Sequence, residues 1–112
     1  MKIYHNPRCS KSRQGLAILS DSKMEFETVK YLDNPVSKEE LTSIIKMLKI
    51  KPLQLVRTNE QIWKANYKGV DMTDDEIIDA MIANPKLIER PIVVNNGKAV
   101  IGRPPEFIKS IL

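Results

Sequence analysis

The sequence predicts an α/β fold made of a β-α-β unit, a helical middle segment and a closing β-β-α unit. Three observations support this prediction. An apolar pair, a helical pattern and an alternating stretch follow one another near the start of the chain. Near its end, two apolar runs flank an Asn-Gly pair, which is typical of a β-hairpin. The region between carries helix-capping signals and no convincing strand.

The β-α-β unit begins with a short strand at residues 3–4, which the Asn6-Pro7 turn ends. A helix follows over residues 10–19, and residues 26–31 alternate in the manner of a second strand. The side chains expected on the buried face of the helix are Leu16, Ala17 and Leu19. Two strands joined by a helix are expected to be parallel, with a right-handed crossover.

The middle segment contains two capping boxes, in which a hydroxyl residue is followed three positions later by glutamate. Ser37 with Glu40 opens one helix, and Thr73 with Glu76 opens another. The expected inward residues are Leu41, Ile44, Ile45 and Leu48 in the first helix and Ile77, Ile78, Met81 and Ile82 in the second. A shorter helical stretch is indicated around residues 62–63.

The closing unit joins strands at residues 92–94 and 99–101 through the Asn-Gly turn, and a last helix opens at Pro104-Pro105. The side chains expected to face inward from this helix are Phe107, Ile108, Ile111 and Leu112. A parallel pair and a hairpin in one mixed sheet is the thioredoxin-like arrangement. Residues from about 35 to 72 would then be a helical insertion into it.

Length and composition fit one domain covering residues 1–112, with 42% hydrophobic and 29% charged residues. No apolar run approaches the roughly 20 residues that span a bilayer, so we predict no membrane segment. The net charge is +4, but the basic residues are scattered singly, which argues against nucleic-acid binding. A single cysteine suits a reducing compartment, so we expect a cytoplasmic protein, and we expect it to be a monomer.

Cys9 is the only cysteine, and it lies where the first strand gives way to the first helix. Unpaired N–H groups and the helix dipole favour negative charge there, so the thiol can ionise below its usual pKa. Arg8, Lys11 and Arg13 add positive charge nearby. We therefore predict a reactive thiolate, and the alternative is a small buried hydrophobic residue.

Spacing excludes three other cysteine sites. A Cys-x5-Arg phosphatase loop would need arginine at Gly15, and a Cys-x-x-Cys redox motif would need cysteine at Ser12. With one cysteine and one histidine the chain lacks the ligands for zinc, so we predict no metal. The histidine, His5, could pair with the Cys9 thiolate or be an ordinary loop histidine.

Three arginines lie between elements rather than inside them: Arg57, Arg90 and Arg103. Arg90 precedes Pro91 before the third strand, and Arg103 precedes Pro104 after the fourth, which restricts the backbone at both arginines. In a thioredoxin-like sheet the loop before the third strand lies against the cysteine turn. We therefore expect Arg90 to reach Cys9 and the other two to converge on it, the alternative being three surface residues.

The opening Ile3-Tyr-His-Asn-Pro-x-Cys9, followed by Ser12-Arg13, resembles that of the glutaredoxin-coupled arsenate reductases, the ArsC-like proteins. The likeness continues in order through Tyr31-Leu32, Pro35, Leu55-Val-Arg57, Thr73-Asp-Asp, Glu89-Arg-Pro-Ile-Val-Val94 and Arg103-Pro104. The resemblance implies a thioredoxin-like fold, a catalytic Cys9 and a cis proline at Pro91. It also implies that Arg57, Arg90 and Arg103 bind the oxyanion. The candidate supporting residues are His5, Asn6, Ser12, Arg13 and Pro91.

The implied activity is the reduction of arsenate to arsenite by the Cys9 thiolate, with no bound cofactor. Two electrons require two thiols and the chain supplies one, so the resemblance implies glutathione as external reductant, followed by glutaredoxin. Arg8, Ser10 and Lys11 depart from the small residue and the Gly-Thr pair typical of established arsenate reductases. Two alternatives stay open: a glutathione-dependent thiol reductase of another substrate, and a non-enzymatic Spx-type regulator that binds RNA polymerase.

Overall fold

The computed structural model describes residues 1–112, which form two compact units. The first, here called the cysteine unit, comprises Met1–Asn34 and Arg90–Leu112. The second, here called the helical unit, is Pro35–Glu89. The expectation that the whole chain folds as one domain stays a prediction.

The cysteine unit is built around a mixed four-stranded sheet. Its elements are β1 (Lys2–Tyr4), α1 (Ser10–Asp21), β2 (Glu27–Val29), β3 (Ile92–Asn95), β4 (Lys98–Ile101) and a C-terminal 3-10 helix (Pro105–Ile111). The strand order is β2-β1-β3-β4, in which β1 is parallel to β2 and antiparallel to β3, and β3 is antiparallel to β4. The predicted mixed sheet and its thioredoxin-like element order are therefore confirmed.

The hairpin between β3 and β4 has the predicted turn. Asn96 and Gly97 both have positive φ, at 51° and 75°. A type I′ turn requires positive φ at both central positions, which asparagine and glycine adopt at little cost. At the far end of the hairpin Ile92 pairs with Ile101. Arg90 lies two residues before Ile92, and Arg103 lies two residues after Ile101.

The buried face of α1 differs from the expected one. Its buried residues are Ser12, Gly15 and Leu19, whereas Leu16 is half-buried and Ala17 is exposed. The expectation for Ala17 was wrong because the helix packs against Pro91 and the C-terminal helix at Gly15. A Cβ built there would lie 2.8 Å from Pro91 Cγ and 2.9 Å from Ile108 Cδ1.

Gly15→Ala is therefore expected to destabilise the protein, although alanine is the better helix former by up to about 1 kcal/mol. Overpacking against Pro91 and Ile108 should outweigh this gain, since extra core methylenes typically cost about 1–3 kcal/mol. Urea unfolding would measure the difference, with Gln14→Ala, at the adjacent exposed position of the same helix, as the control. A Gly15→Ala variant as stable as Gln14→Ala would contradict the close approach.

The C-terminal helix also corrects two expected core residues. It is a 3-10 helix, with three residues per turn, so Pro105, Ile108 and Ile111 share one face. Pro105 and Ile108 are buried and Ile111 is half-buried, whereas Phe107 and Leu112 are exposed. The α-helical spacing assumed from the sequence placed Phe107 and Leu112 inward, and this was wrong.

The helical unit contains α2 (Lys38–Leu48), α3 (Pro52–Leu55), α4 (Gln61–Asn66), α5 (Asp74–Ala83) and a short 3-10 helix (Pro85–Leu87). It extends beyond the insertion expected at about 35–72 because α5 packs on α2 and α3 and so belongs to this unit. None of these helices combines the length and apolarity that crossing a bilayer requires.

Both predicted caps are present in the helical unit. The Ser37 hydroxyl accepts from the Glu40 N–H at 3.1 Å, and the Thr73 hydroxyl accepts from the Glu76 N–H at 3.2 Å. The Glu76 carboxylate in turn accepts from the Thr73 N–H at 2.9 Å. The predicted core residues are buried apart from Leu48 and Ile82, which are half-buried. The two principal helices predicted for the middle segment are confirmed.

Candidate active site

Cys9 is the N-cap residue of α1, shortly after β1 ends. Its N–H donates to the Asn6 carbonyl oxygen at 3.0 Å, and its own carbonyl oxygen accepts from the Arg13 N–H at 3.0 Å. The turn and the first helical turn therefore fix the backbone on both sides of the sulfur. The Cys9 side chain is partly exposed, so the sulfur remains open to reagents.

Two arginines distant in sequence contact Cys9. Arg103 Nη2 donates to Cys9 Sγ at 3.4 Å, and Arg103 Nε donates to the Arg90 carbonyl oxygen at 2.9 Å. The Arg90 side chain also hydrogen-bonds the Cys9 sulfur, and only 8% of Arg90 is exposed. The structure thus brings Arg90, Arg103 and Cys9 together, whereas their binding of an oxyanion stays a prediction.

The strand register explains why these two arginines are neighbours. Ile92 of β3 pairs with Ile101 of β4, and the Gly102 N–H donates to the Pro91 carbonyl oxygen at 2.8 Å. Arg90 and Arg103 are the next residues beyond this ladder. The Arg90–Pro91 peptide bond is cis, as the resemblance implied, and so is the Arg103–Pro104 bond.

Burial of Cys9 by itself raises the pKa of its thiol. A hydrogen bond from the Ser12 N–H and one from the Arg90 side chain lower that pKa, and the Arg103 charge and the Lys11 N–H lower it further. These four interactions outweigh burial, and the pKa of Cys9 lies below that of an ordinary thiol. The helix N-terminus and the arginines therefore both stabilise the thiolate.

The cations that lower the pKa of Cys9 are not the ones expected from the sequence. The charges of Arg8, Lys11 and Arg13 were expected to act because they are close in the chain. The contributing side chains are instead Arg90 and Arg103, which the sheet brings to the sulfur, and Lys11 acts through its backbone N–H. Proximity in sequence was a poor guide here, because Arg8, Lys11 and Arg13 have exposed side chains, and the Arg13 guanidinium donates to the Pro7 carbonyl oxygen.

Cys9 is expected to react with iodoacetamide at pH values where an ordinary thiol is protonated, since alkylation requires the thiolate. The rate constant should follow a titration whose midpoint lies below the free-thiol pKa of about 8.5. A pH series at constant ionic strength would measure it, with a short unstructured cysteine peptide as the reference. A midpoint equal to that of the peptide, or higher, would contradict the lowered pKa.

Ser12 connects the cysteine turn to His5. The Ser12 hydroxyl oxygen accepts from the Asn6 N–H at 2.9 Å and lies 2.6 Å from His5 Nδ1, while the Ser12 N–H bonds the Cys9 sulfur. His5 is buried, and this burial, with the nearby Lys30 charge, lowers the pKa of its imidazole. Of the two roles considered for His5, the structure shows neither directly: the ring bonds Ser12 rather than the thiolate, and it is buried.

Asn6 and Arg13 hold the remaining backbone of the cysteine turn. Asn6 Oδ1 accepts from the Arg8 N–H at 3.0 Å, and Arg13 Nη1 donates to the Pro7 carbonyl oxygen at 2.9 Å. Asparagine is well suited to such a turn because its side chain bonds the backbone two residues on. Both residues thus contact the turn that carries Cys9, and their supporting role in catalysis stays a prediction.

Arg57 lies in the helical unit, where two carboxylates engage its guanidinium. Arg57 Nη1 donates to Glu89 Oε1 at 3.0 Å, and Arg57 Nε lies 3.4 Å from Glu60 Oε1. Sequence reasoning missed both pairs, although the i,i+3 spacing of Arg57 and Glu60 was a readable signal. The role of Arg57 in binding an oxyanion stays a prediction.

A thioredoxin-like unit that holds one cysteine of lowered pKa against two arginines defines a class of thiol proteins. Sequence comparison then identifies the family. The ArsC family model matches residues 4–111, and the chain therefore belongs to the ArsC family.

Relatives cover nearly the whole chain. A Haemophilus influenzae protein named arsenate reductase is 44% identical over 112 residues, which are 98% of this chain and 97% of that protein. The Escherichia coli K12 protein YfgD, named as uncharacterized, is 46% identical and covers 100% of this chain and 96% of its own length. A solved structure of an arsenate reductase from Vibrio cholerae superposes with a TM-score of 0.94 at 43% identity, covering 100% of this chain and 98% of that one.

Proposed function

We propose that this protein reduces arsenate to arsenite and that Cys9 is its nucleophile. The observation that carries the proposal is the joint contact of Arg90 and Arg103 with the Cys9 sulfur. An oxyanion attacked by that sulfur would lie against both guanidinium groups. The relatives named arsenate reductase over nearly their full length support the same activity.

In the first step the Cys9 thiolate attacks the arsenic atom of arsenate. A sulfur–arsenic bond forms, an arsenic–oxygen bond breaks, and the departing oxygen leaves as water after protonation. Arg90 and Arg103 hold the remaining oxygens, because the forked donors of a guanidinium match the edges of a tetrahedral oxyanion. Once the sulfur–arsenic bond has formed, the sulfur no longer carries the thiolate charge. Both arginines can then interact with the bound oxyanion alone.

The second step needs a thiol from outside the chain. Arsenate and two thiols give arsenite, one disulfide and one water, and Cys9 is the only thiol of the protein. We propose that glutathione supplies the second thiol, which leaves a mixed disulfide on Cys9 as arsenite departs. Glutaredoxin, or a second thiol of the same class, then regenerates Cys9 by thiol–disulfide exchange. The reaction suits a monomer in the reducing cytoplasm.

A coupled assay tests this function. Arsenate, glutathione, glutaredoxin and glutathione reductase are combined with the protein, and NADPH consumption is followed together with arsenite formation. The proposal expects both to proceed at equal rates and to stop when arsenate or the protein is omitted. Readily labelled Cys9 without arsenate-dependent turnover would exclude arsenate as the substrate.

Arg8, Ser10 and Lys11 favour one alternative, a glutathione-dependent reductase of another substrate, because they depart from the residues around the cysteine of arsenate reductases. Replacing arsenate by glutathione mixed disulfides in the same assay distinguishes the two activities. The regulator hypothesis gains no support from the site, since binding RNA polymerase would not require two arginines on the cysteine sulfur.

A further inference from the structure

The positive charge of the protein is concentrated in the cysteine unit. Residues 1–34 and 90–112 contain ten Lys and Arg residues and five Asp and Glu residues, a net charge of +5. Residues 35–89 contain eight and nine respectively, a net charge of −1. The cysteine unit therefore accounts for the whole excess of positive charge, and this charge attracts an approaching anion.

Two pairs of cations are found at Cys9, an inner pair in contact with the sulfur and an outer pair close to it in sequence. The inner pair, Arg90 and Arg103, contacts the sulfur. The outer pair is Arg8 and Lys11, which stand one residue before and two residues after Cys9 and are exposed. No carboxylate of the protein forms an ion pair with either outer side chain. The outer cations are therefore available to a ligand.

The backbone of each outer cation is held close to Cys9. The Arg8 N–H donates to Asn6 Oδ1 at 3.0 Å, and Lys11 belongs to the first turn of α1, where its N–H stabilises the thiolate. Both side chains are exposed, and both backbone positions are held next to the nucleophile. An anionic reagent that reaches Cys9 from solvent therefore meets a turn that bears two exposed positive charges without an ion-pair partner.

We propose that Arg8 and Lys11 bind the carboxylates of the incoming thiol and make the second half of the reaction selective for an anionic thiol with two carboxylates, of the glutathione class. This inference rests on the proposed external-thiol step and assigns that step its recognition residues. Arg90 and Arg103, the inner pair, bind the oxyanion at the sulfur. Arg8 and Lys11, the outer pair, bind the thiol co-substrate. A neutral or cationic thiol gains nothing from the outer pair.

Thiol–disulfide exchange tests the proposal without arsenate. The Cys9 thiolate attacks one sulfur of a disulfide, the sulfur–sulfur bond breaks, a mixed disulfide forms on Cys9, and the other half leaves as a thiolate. Rate constants would be measured by intact-protein mass spectrometry with oxidised glutathione, which is anionic, and with cystamine, which is cationic. Iodoacetamide, a neutral reagent, reports any change in the thiolate fraction.

The readout is the ratio of the oxidised-glutathione rate to the cystamine rate at low ionic strength. Arg8→Ala and Lys11→Ala should each lower the oxidised-glutathione rate about two- to fivefold, the range expected for an exposed charge pair, and the effects should multiply in the double variant. Added salt should reduce the parent ratio towards that of the double variant. Lys98→Ala is the matched control, because it removes the same charge from the hairpin turn at the opposite end of the sheet.

An unchanged ratio in the double variant, or an equal change in Lys98→Ala, would overturn the proposal. A lowered ratio without arsenate turnover in the coupled assay would leave this inference standing and remove the proposed arsenate activity. Arsenate turnover with an unchanged ratio would remove this inference and leave the proposed arsenate activity standing.

Discussion

Replacing Cys9 by Ser is expected to abolish arsenite formation in the complete system of arsenate, glutathione and glutaredoxin. A serine hydroxyl stays protonated at neutral pH and has no adjacent base in this site, so it cannot attack arsenic as a thiolate does. The chain holds no second cysteine that could take over. The coupled assay and direct arsenite analysis measure the loss.

The same variant should keep its oxyanion site. Arg90 and Arg103 remain, and removal of the negative thiolate also removes a like charge that repels the anion. The affinity for sulfate or arsenate, measured by calorimetry, should therefore be equal to that of the parent or higher. Residual turnover in Cys9→Ser would show that another group performs the chemistry, and lost binding would show that the substitution had damaged the site itself.

Arg103→Ala is expected to weaken oxyanion binding about 10- to 150-fold, which corresponds to the roughly 1.5–3 kcal/mol typical of a hydrogen bond to a charged group. It should also raise the pKa of Cys9, because the Arg103 charge is among the interactions that lower it. The iodoacetamide midpoint should then move to higher pH while the fold is retained.

Arg103→Lys separates charge from geometry. A lysine keeps the positive charge but cannot bond the Arg90 carbonyl oxygen and the Cys9 sulfur at once, as the Arg103 guanidinium does. We expect the lysine variant to keep much of the lowered Cys9 pKa and to lose most of the oxyanion affinity. Arsenate binding of Arg103→Ala equal to that of the parent would exclude Arg103 from the site.

The sequence predicted the sheet and its cysteine turn because local signals determine them. Asn96-Gly97 specifies its own turn, and the strand-to-helix change around Cys9 follows from hydrophobic periodicity. The approach of Arg90 and Arg103 could also be anticipated, since both flank the ends of paired strands.

What could not be predicted depends on packing between distant segments. The exposure of Ala17 results from the close approach of Gly15 to Pro91, which no periodicity reveals. The exposure of Phe107 results from a 3-10 rather than an α-helical period. Likewise the carboxylate of Glu89, 32 residues from Arg57 in the chain, is brought to it only by the fold.

The most direct test of the central claim is a count of arsenite released per protein chain in the absence of glutaredoxin. With arsenate alone, we expect no free arsenite, because one thiol cannot supply two electrons. With one equivalent of glutathione per chain, this mechanism predicts one arsenite per chain and one glutathione disulfide-bonded to Cys9, both seen by mass spectrometry. Continuous arsenite release by the protein without any added thiol would contradict it.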